Sequence, residues 1–412
     1  MCNWDSITQQ RWFMGKGQTI RQISEMDSAK IADCELQILK VEFENGTNDL
    51  YITLNDESKV GALLAEGFGK NDAVQTYSAR HGQFVFHCTG KIESTSIIHA
   101  TSLGAEQSNS AFFVKGKFFF KLFRRLQAGI HPEQEIISQL NKNQFEGVPR
   151  LLGHIEYESG NDSYALGILE EHIPDAQSAW DMFTDTQNGD IEFLRKAAFN
   201  LGSTTAKMHG ALKELKGTPA QAEEVPLEKL ISLLQANGKE GLVPIVQEKQ
   251  FLSQQKKEIP ERVREEKSDT SVPMLTPQRI HGDYHLGQLL YKDGKFIVLD
   301  FEGEPTRTLE YRRRVRSPAA DIAGMLRSFA YANAVRSFDK LRNLDSTRFS
   351  ENFEKILSEA FLQGYSDEIR IPVDQIKEVT KPYIWGKAIY EACYELEFRP
   401  DWFWIPEQAL KN

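Results

Sequence analysis

The chain has 412 residues, 40% hydrophobic, 26% charged and 10% aromatic, an ordinary globular composition with length for two or three domains. Lys and Arg total 49 against 59 Asp and Glu, a formal charge of −10, which disfavours a nucleic-acid coat or a binder of anionic membranes. No apolar run reaches the roughly 18 to 20 residues that a bilayer-spanning helix needs, and the longest candidates, such as 111–123, are interrupted by lysine.

The opening Met1-Cys2-Asn3-Trp4-Asp5 lacks a basic segment followed by an apolar one, so a cytoplasmic chain is expected. Over roughly the first 95 residues, short apolar runs alternate with turn signals. Cys34 to Phe43, Leu50 to Leu54 and Gln83 to Cys88 read as strands, with an Asn45-Gly46 hairpin and a helix over 56–68. This predicts a small β-rich cap at 1–95. A second β-rich stretch, 96–174, carries Lys115-Gly116-Lys117 in the middle of a hairpin. From about 175 the apolar spacing turns helical, as in Phe193 to Leu212 and Leu227 to Leu234, and 175–412 is expected to be mainly helical. The Lys, Glu and Gln-rich run from Lys249 to Asp269 reads as solvated helix. The cysteines, Cys2, Cys34, Cys88 and Cys393, are scattered, with no paired motif and no His at metal-ligand spacing, and read as free thiols.

The informative stretch is Ile280-His281-Gly282-Asp283-Tyr284-His285-Leu286-Gly287-Gln288, followed by an apolar strand that closes on Asp300-Phe301-Glu302-Gly303. A loop carboxylate, a carboxamide five residues on and a second carboxylate at a strand end are what metal-assisted phosphoryl transfer to a hydroxyl requires. Asp283 can orient the acceptor and take its proton, while Gln288 and Asp300 offer oxygen ligands to Mg²⁺ on the nucleotide phosphates. Lys121, on the apolar strand Phe118 to Phe123, needs an anionic partner if buried. The polar segment Gly104 to Ser110 can fold over phosphates with backbone N–H groups and the hydroxyls of Ser108 and Ser110. Asp321 lies in the first turn of a helix that Ser317-Pro318 opens, where it suits the helix dipole or supports the Asp283 loop. The aromatic end around Tyr383, Tyr390, Tyr394 and Trp402 mixes ring faces with carboxylates. There Tyr390, Tyr394 and Glu397 share one helix face, as a sugar site or as core.

The sequence resembles the kinase-like fold of aminoglycoside and choline phosphotransferases, and within it the maltokinases. The likeness rests on Arg11-Trp12-Phe13 with Gly15-Lys16-Gly17, Ala105 to Ser110, Lys121-Leu-Phe-Arg-Arg125, the His281 to Gln288 loop and Asp300 to Pro305. It continues through Asp321 to Phe329, Tyr394-Glu395 and Arg399-Pro400-Asp401-Trp402, so it spans essentially the whole chain.

The resemblance implies an α+β, bilobal protein-kinase-like fold with an N-terminal β-rich cap. It implies ATP-dependent, Mg²⁺-assisted phosphorylation of maltose at its anomeric hydroxyl to maltose 1-phosphate, in a route from trehalose to α-glucan. Asp283, Lys121, Glu135 and His281 are then the catalytic set, with Glu135 as the helix carboxylate facing Lys121 and Glu133 as its rival two residues away. Backbone groups from Glu171 to Ile173 would meet the adenine edge. His285, Tyr390, Tyr394, Glu397 and Arg399 would line the sugar site with Asp283. Phe398 stands where the maltokinase pattern usually has Asn, which leaves the sugar open. Other readings are a related phosphotransferase acting on glucosamine or an aminoglycoside, and an idle partner of trehalose synthase. A monomer or a homodimer is expected, with no nucleic-acid or membrane partner.

Overall fold

The structure, a computed structural model, describes residues 7–10, 12–69, 73–90, 92, 99–103, 109–114, 117–185, 190–219, 225–249, 275–304, 307–342 and 352–411. The expected phosphate segment at 104–108 with Ser108, the Lys115-Gly116 step and the Lys, Glu and Gln-rich run beyond Lys249 lie outside these residues. The chain forms two compact units, each assembled from two stretches: Met1–Ala176 with Leu299–Arg313, and Gln177–Val298 with Arg314–Asn412.

The first unit holds β1 (Ile20–Ile31), β2 (Cys34–Phe43), β3 (Asn48–Leu54), α1 (Val60–Phe68), β4 (Val74–Ser78), β5 (Gln83–Cys88), β6 (Ala100–Ser102), β7 (Ser110–Val114), β8 (Phe118–Leu122), β9 (Arg125–Leu126), α2 (Pro132–Lys142), β10 (Leu151–Ser159) and β11 (Asp162–Glu171). They make a four-stranded sheet, β1-β2-β3-β9, and a seven-stranded sheet, β4-β5-β10-β11-β8-β7-β6. Strand β2 is buried on both faces, as its period-two pattern allows. Leu36 and Ile38 enter the main core, while Leu39, Val41 and Phe43 pack with Trp12, Phe13 and Tyr51.

The expected boundary at 95/96 does not separate two bodies. β5 pairs with β10 along Gln83 to Cys88, and one core joins Leu36, Ile38 and Phe84 to Phe112, Phe120 and Leu166. Hairpins are local and were legible, whereas the long-range pairing that merges two hairpin sets carries no local signal.

The second unit holds β12 (Gln177–Ser178), α3 (Ala179–Thr184), α4 (Ile191–Leu212), α5 (Leu227–Ala236), β13 (Leu289–Lys292) and β14 (Lys295–Val298). After α6 (Leu309–Arg312) of the first unit come α7 (Ala319–Arg342), α8 (Phe353–Ile369), α9 (Val373–Phe398) and α10 (Trp404–Lys411). β13 and β14 form a tight hairpin through Asp293-Gly294, both at positive φ, the conformation a two-residue hairpin turn demands. Helix α4 starts at Asp190, whose carboxylate accepts from the amides of Glu192 (2.9 Å) and Phe193 (3.2 Å). No helix among the described residues is long and apolar enough to cross a membrane. Cys34, Cys88 and Cys393 are free.

Helices α4 and α8 approach closely because glycines face each other's backbone. A Cβ on Gly202 would lie 2.0 Å from the Phe361 carbonyl oxygen, and one on Gly364 would lie 1.9 Å from that of Phe199. Gly364→Ala therefore forces two helix backbones apart and is expected to cost about 1–3 kcal/mol. Urea unfolding of the purified variant checks this, with Gly241→Ala, where an added Cβ meets open space, as the control.

Candidate active site

In the first unit the site is built around one ammonium. Lys121 lies on β8, opposite Ile168 of β11 and Ala111 of β7. Its side chain is buried, and Nζ donates to Glu133 Oε2 (2.8 Å) and Oε1 (3.1 Å) and, over a short contact, to Asp300 Oδ1; Glu302 Oε1 stands 3.7 Å away. Burial alone would lower the lysine's pKa. Asp300, Glu133 and Glu302 outweigh it and hold the group well above its usual value, so it is a cation at any ordinary pH.

The helix carboxylate at Lys121 is Glu133, in the first turn of α2, and the expectation of Glu135 is corrected. Two residues along a helix rotate a side chain by about 200°, to nearly the opposite face. Glu135 accordingly turns to Arg313, taking bonds of 2.7 and 3.1 Å from Nη2 and Nε. Glu302 is buried and accepts from Asn109 Nδ2 at 3.0 Å through both oxygens, while Arg312 Nη1 donates to its backbone oxygen (3.0 Å). Asp300 takes φ +63°, a left-handed conformation that Asp tolerates and that recurs at functional sites.

Four carboxylates thus gather near two cations, Lys121 and Arg312. Burial pushes Glu133 well up and Glu170 up to about 7, with Lys121 opposing and Asp300 assisting in both. Buried acid surplus of this kind is what an added dication offsets.

Two residues expected at phosphate and adenine are otherwise engaged. Ser110 is buried, and its Oγ accepts from Arg124 Nε (2.7 Å), a guanidinium that is itself buried and also meets Glu57 and the Ile52 carbonyl. A buried guanidinium has the stronger claim on that hydroxyl. The amides of Glu171 and His172 donate to the carbonyls of Arg150 and Lys117, both at 2.9 Å. Glu171 can therefore offer its carbonyl and not its N–H. Ile173, half-buried, follows in the linker.

In the second unit the His281 to Gln288 loop is held by a buried carboxylate on α7. Asp321 Oδ2 accepts from the His281 amide (2.9 Å) and from His209 Nε2 (3.0 Å), and Oδ1 accepts from the Gly282 amide (2.9 Å). His209 Nδ1 lies 2.8 Å from the Tyr365 hydroxyl and shares a hydrogen bond with it. Burial would raise Asp321, but the His209 bond, the charges of His209 and His281 and the Gly282 amide lower it below the ordinary value. Ser317 Oγ accepts from the Ala319 amide (3.2 Å), fixing the start of α7. The loop rests directly on that helix, since a Cβ on Gly324 would lie 2.4 Å from the Tyr284 carbonyl.

Asp283 itself stays partly open, 30% exposed, with Lys387 Nζ 3.4 Å from Oδ1 and His285 Nε2 4.0 Å from Oδ2. His281 is buried, and its Nδ1 accepts from the Asp283 amide (3.4 Å), so it braces the loop from behind. His285 Nδ1 accepts from the Gly287 amide (3.1 Å) and starts the short helical turn that ends at half-buried Gln288. Lys387, on α9, was not singled out from the sequence: 104 residues separate it from Asp283, and no local pattern marks it.

On the same helix Tyr390 and Tyr394 are 40% and 45% exposed and so are not core. Lys387 Nζ lies 5.8 Å from the Tyr390 ring, joining this face to Asp283. Tyr394 packs tilted against the Phe398 ring (5.0 Å) and under the Arg399 guanidinium (5.2 Å), whereas Glu397 pairs with Lys229 (2.8 Å).

Asp321→Asn keeps the side-chain size but sets an amide N–H₂ against at least one of three donors. The expected cost is about 2–4 kcal/mol. A carboxylate with a lowered folded-state pKa stabilises above its unfolded value of about 3.9, and that contribution is lost as pH falls through the folded value. The stability gap between parent and variant in urea should hold from neutral pH to about pH 5 and narrow below about pH 4; a pH-independent gap would contradict this account.

Residues 99–342, more than half of the chain, match the phosphotransferase enzyme family. A glucosamine kinase of Streptacidiphilus jiangxiensis is 25% identical over 295 residues, 68% of this chain and 65% of that protein, so the match spans slightly less than two thirds of its length. A glucosamine kinase of Mycolicibacterium smegmatis is 26% identical over 317 residues, 74% of this chain and 77% of its own. The solved structure of a glucosamine kinase in complex with glucosamine, ADP and inorganic phosphate superposes with a TM-score of 0.67 at 17% identity, covering 99% and 98% of the two chains, which shows a shared fold. With an N-terminal β-sheet region and a helical C-terminal region in the kinase-like fold, the chain belongs to the phosphotransferase enzyme family.

Proposed function

We propose that the chain is a kinase that transfers the γ-phosphoryl group of ATP to a hydroxyl of a small sugar or amino sugar, with Mg²⁺ as the metal. The observation that carries the reading is the buried ammonium of Lys121 held among Glu133, Asp300 and Glu302. The donors suit the groups: Asp300 and Gln288 offer hard oxygens of the kind Mg²⁺ takes, and Lys121 offers a cation to phosphate oxygens. Bound ATP and Mg²⁺ supply the phosphoryl group and neutralise its developing charge.

The chain's own residues do the rest. Glu133 aims the Lys121 ammonium. Asp283 orients the acceptor hydroxyl and takes its proton, held in place by a loop that Asp321 and His281 brace. Carbonyl groups of the 171–173 linker and the amide of Ile173 meet the adenine edge, and Ser108 serves the phosphates. His285, Tyr390, Tyr394, Glu397 and Arg399 belong to the acceptor side, with Lys387 beside them. A reaction that consumes ATP suits a cytoplasmic chain.

Glucosamine is the first acceptor, supported by the names of both curated relatives. Maltose, phosphorylated at its anomeric hydroxyl, is the second reading, and then trehalose synthase is a natural partner. The two exposed ring faces of Tyr390 and Tyr394 favour it, since stacked aromatics suit a disaccharide; exposed Phe398 in the usual Asn position weighs against it.

ADP release measured with glucosamine, with maltose and without sugar separates the two acceptors. Release that no sugar raises would overturn the reading. In Asp283→Asn, turnover should fall by about 10²-fold or more while ADP affinity holds, because the base is lost and phosphate contacts are not.

A second pair of variants tests the carboxylate at Lys121. Glu133→Gln should weaken ADP binding by about tenfold, since it leaves the buried ammonium with one charge partner fewer. Glu135→Gln, which loosens the Arg313 pair and leaves Lys121 its carboxylates, should stay within about threefold. Isothermal titration of both variants decides it, and the reverse order would restore Glu135 as the nucleotide-side carboxylate.

A further inference from the structure

We propose that His87, His154 and Glu156 form a binding site for a transition-metal dication of the zinc class on the seven-stranded sheet, apart from the phosphoryl-transfer residues. The three offer one ligand atom each, all within 4.8 Å of one another. Their arrangement follows from strand pairing. His154 of β10 lies directly opposite His87 of β5, and Glu156 is two residues further along β10, so all three project from one sheet face. Phe86, Ile155 and Tyr157, at the alternate positions, enter the core from the other face.

The chemistry of the set matches. Two imidazoles and a carboxylate, with positions left for water, are a recurrent donor set for zinc and its neighbours. Nε2 of His87 and Nε2 of His154 stand 3.9 and 3.5 Å from the oxygens of Glu156, too long for hydrogen bonds and within about an ångström of the separation that ligands on one small cation adopt. His87 Nε2 and His154 Nδ1 are shielded from solvent and have no hydrogen-bond partner, a cost that a bound cation or its water would remove for the nitrogens it engages.

The carboxylate is already oriented from outside: Gln134 Nε2 donates to Oε1 (3.0 Å) and Ser163 Oγ to Oε2 (3.1 Å). Outer partners of this kind are how metal ligands are aimed. The two rings are stacked at 4.4 Å and 14° and must splay to converge their lone pairs, a rotation about the side-chain torsions that leaves the strands in place. Sequence spacing could not reveal the site, because 67 residues separate the two histidines and only the β5–β10 register joins them.

The test is titration of the full chain, freed of metal by chelator, with ZnCl₂ under isothermal calorimetry, and with CoCl₂ under visible absorption. One equivalent should bind, with cobalt d–d bands and no thiolate charge-transfer band. His87→Phe and His154→Phe keep the ring stack while removing the nitrogens, and Glu156→Gln keeps the side-chain size while removing its charge. Each should weaken zinc binding by about tenfold or more with the circular dichroism spectrum and the melting temperature of the metal-free chain held near the parent's. Failure of the parent to bind zinc at micromolar concentration would overturn the proposal. So would undiminished one-equivalent binding by the His87→Phe/His154→Phe double variant.

Discussion

An ammonium group leaves water only where anionic oxygens replace its hydration, and in the first unit that constraint organises everything around Lys121. A lysine on a central strand of a seven-stranded sheet would otherwise break the sheet's core. Its three carboxylates come from two places far apart in sequence, Glu133 at the start of α2 and Asp300 with Glu302 after the β13–β14 hairpin. This is the physical reason that residues 299–313 belong to the first unit although they follow strands of the second. Glu302 is fixed in turn by Asn109 and by Arg312, so the ion cluster ties β7, β8, α2 and the returning segment together. Removing one buried partner from such a set leaves an uncompensated charge, typically at a cost of about 3–5 kcal/mol.

The second unit uses the same device with the sign reversed. Asp321 is a carboxylate buried behind the 281–288 loop, and three donors replace its water. Its hydrogen bonds reach the loop amides and, through His209, the hydroxyl of Tyr365 on α8, so α4, α7 and α8 all hold the loop. Asp321, His209 and His281, which brace the loop, are buried, and Asp283 itself is left partly exposed with Lys387 beside it. Rigid support beneath an open carboxylate is what positioning a reacting hydroxyl asks for.

What was legible in the sequence was local. The strand at 34–43, the hairpin at Asn45-Gly46, the α7 start at Ser317-Pro318 and the run from His281 to Asp300 all write their structure into neighbouring residues. What was not legible needed a partner from elsewhere. Ser110 looked free for phosphate until Arg124 was seen to claim it, and the cap boundary dissolved once β5 was paired with β10. Lys387 and the His87–His154 pair have no local pattern at all. Glu133 and Glu135 both fit the composition, and only the helix phase separates the one that meets Lys121 from the one that meets Arg313.

That phase has a further consequence. Glu133, Gln134 and Glu135 are consecutive on α2, and steps of about 100° send them to three partners: Lys121 on β8, Glu156 on β10 and Arg313 on the returning segment. His154, Ile168 and Lys121 lie in one cross-strand row on the face that α2 meets, so His154 and Lys121 sit two strands apart, about 10 Å, with His87 one strand further out. A helix held at three adjacent residues cannot shift toward one partner without changing its reach to the others. The position of the carboxylate that aims Lys121 is thus bound to the position of the one that Gln134 orients, through a single rigid turn of backbone.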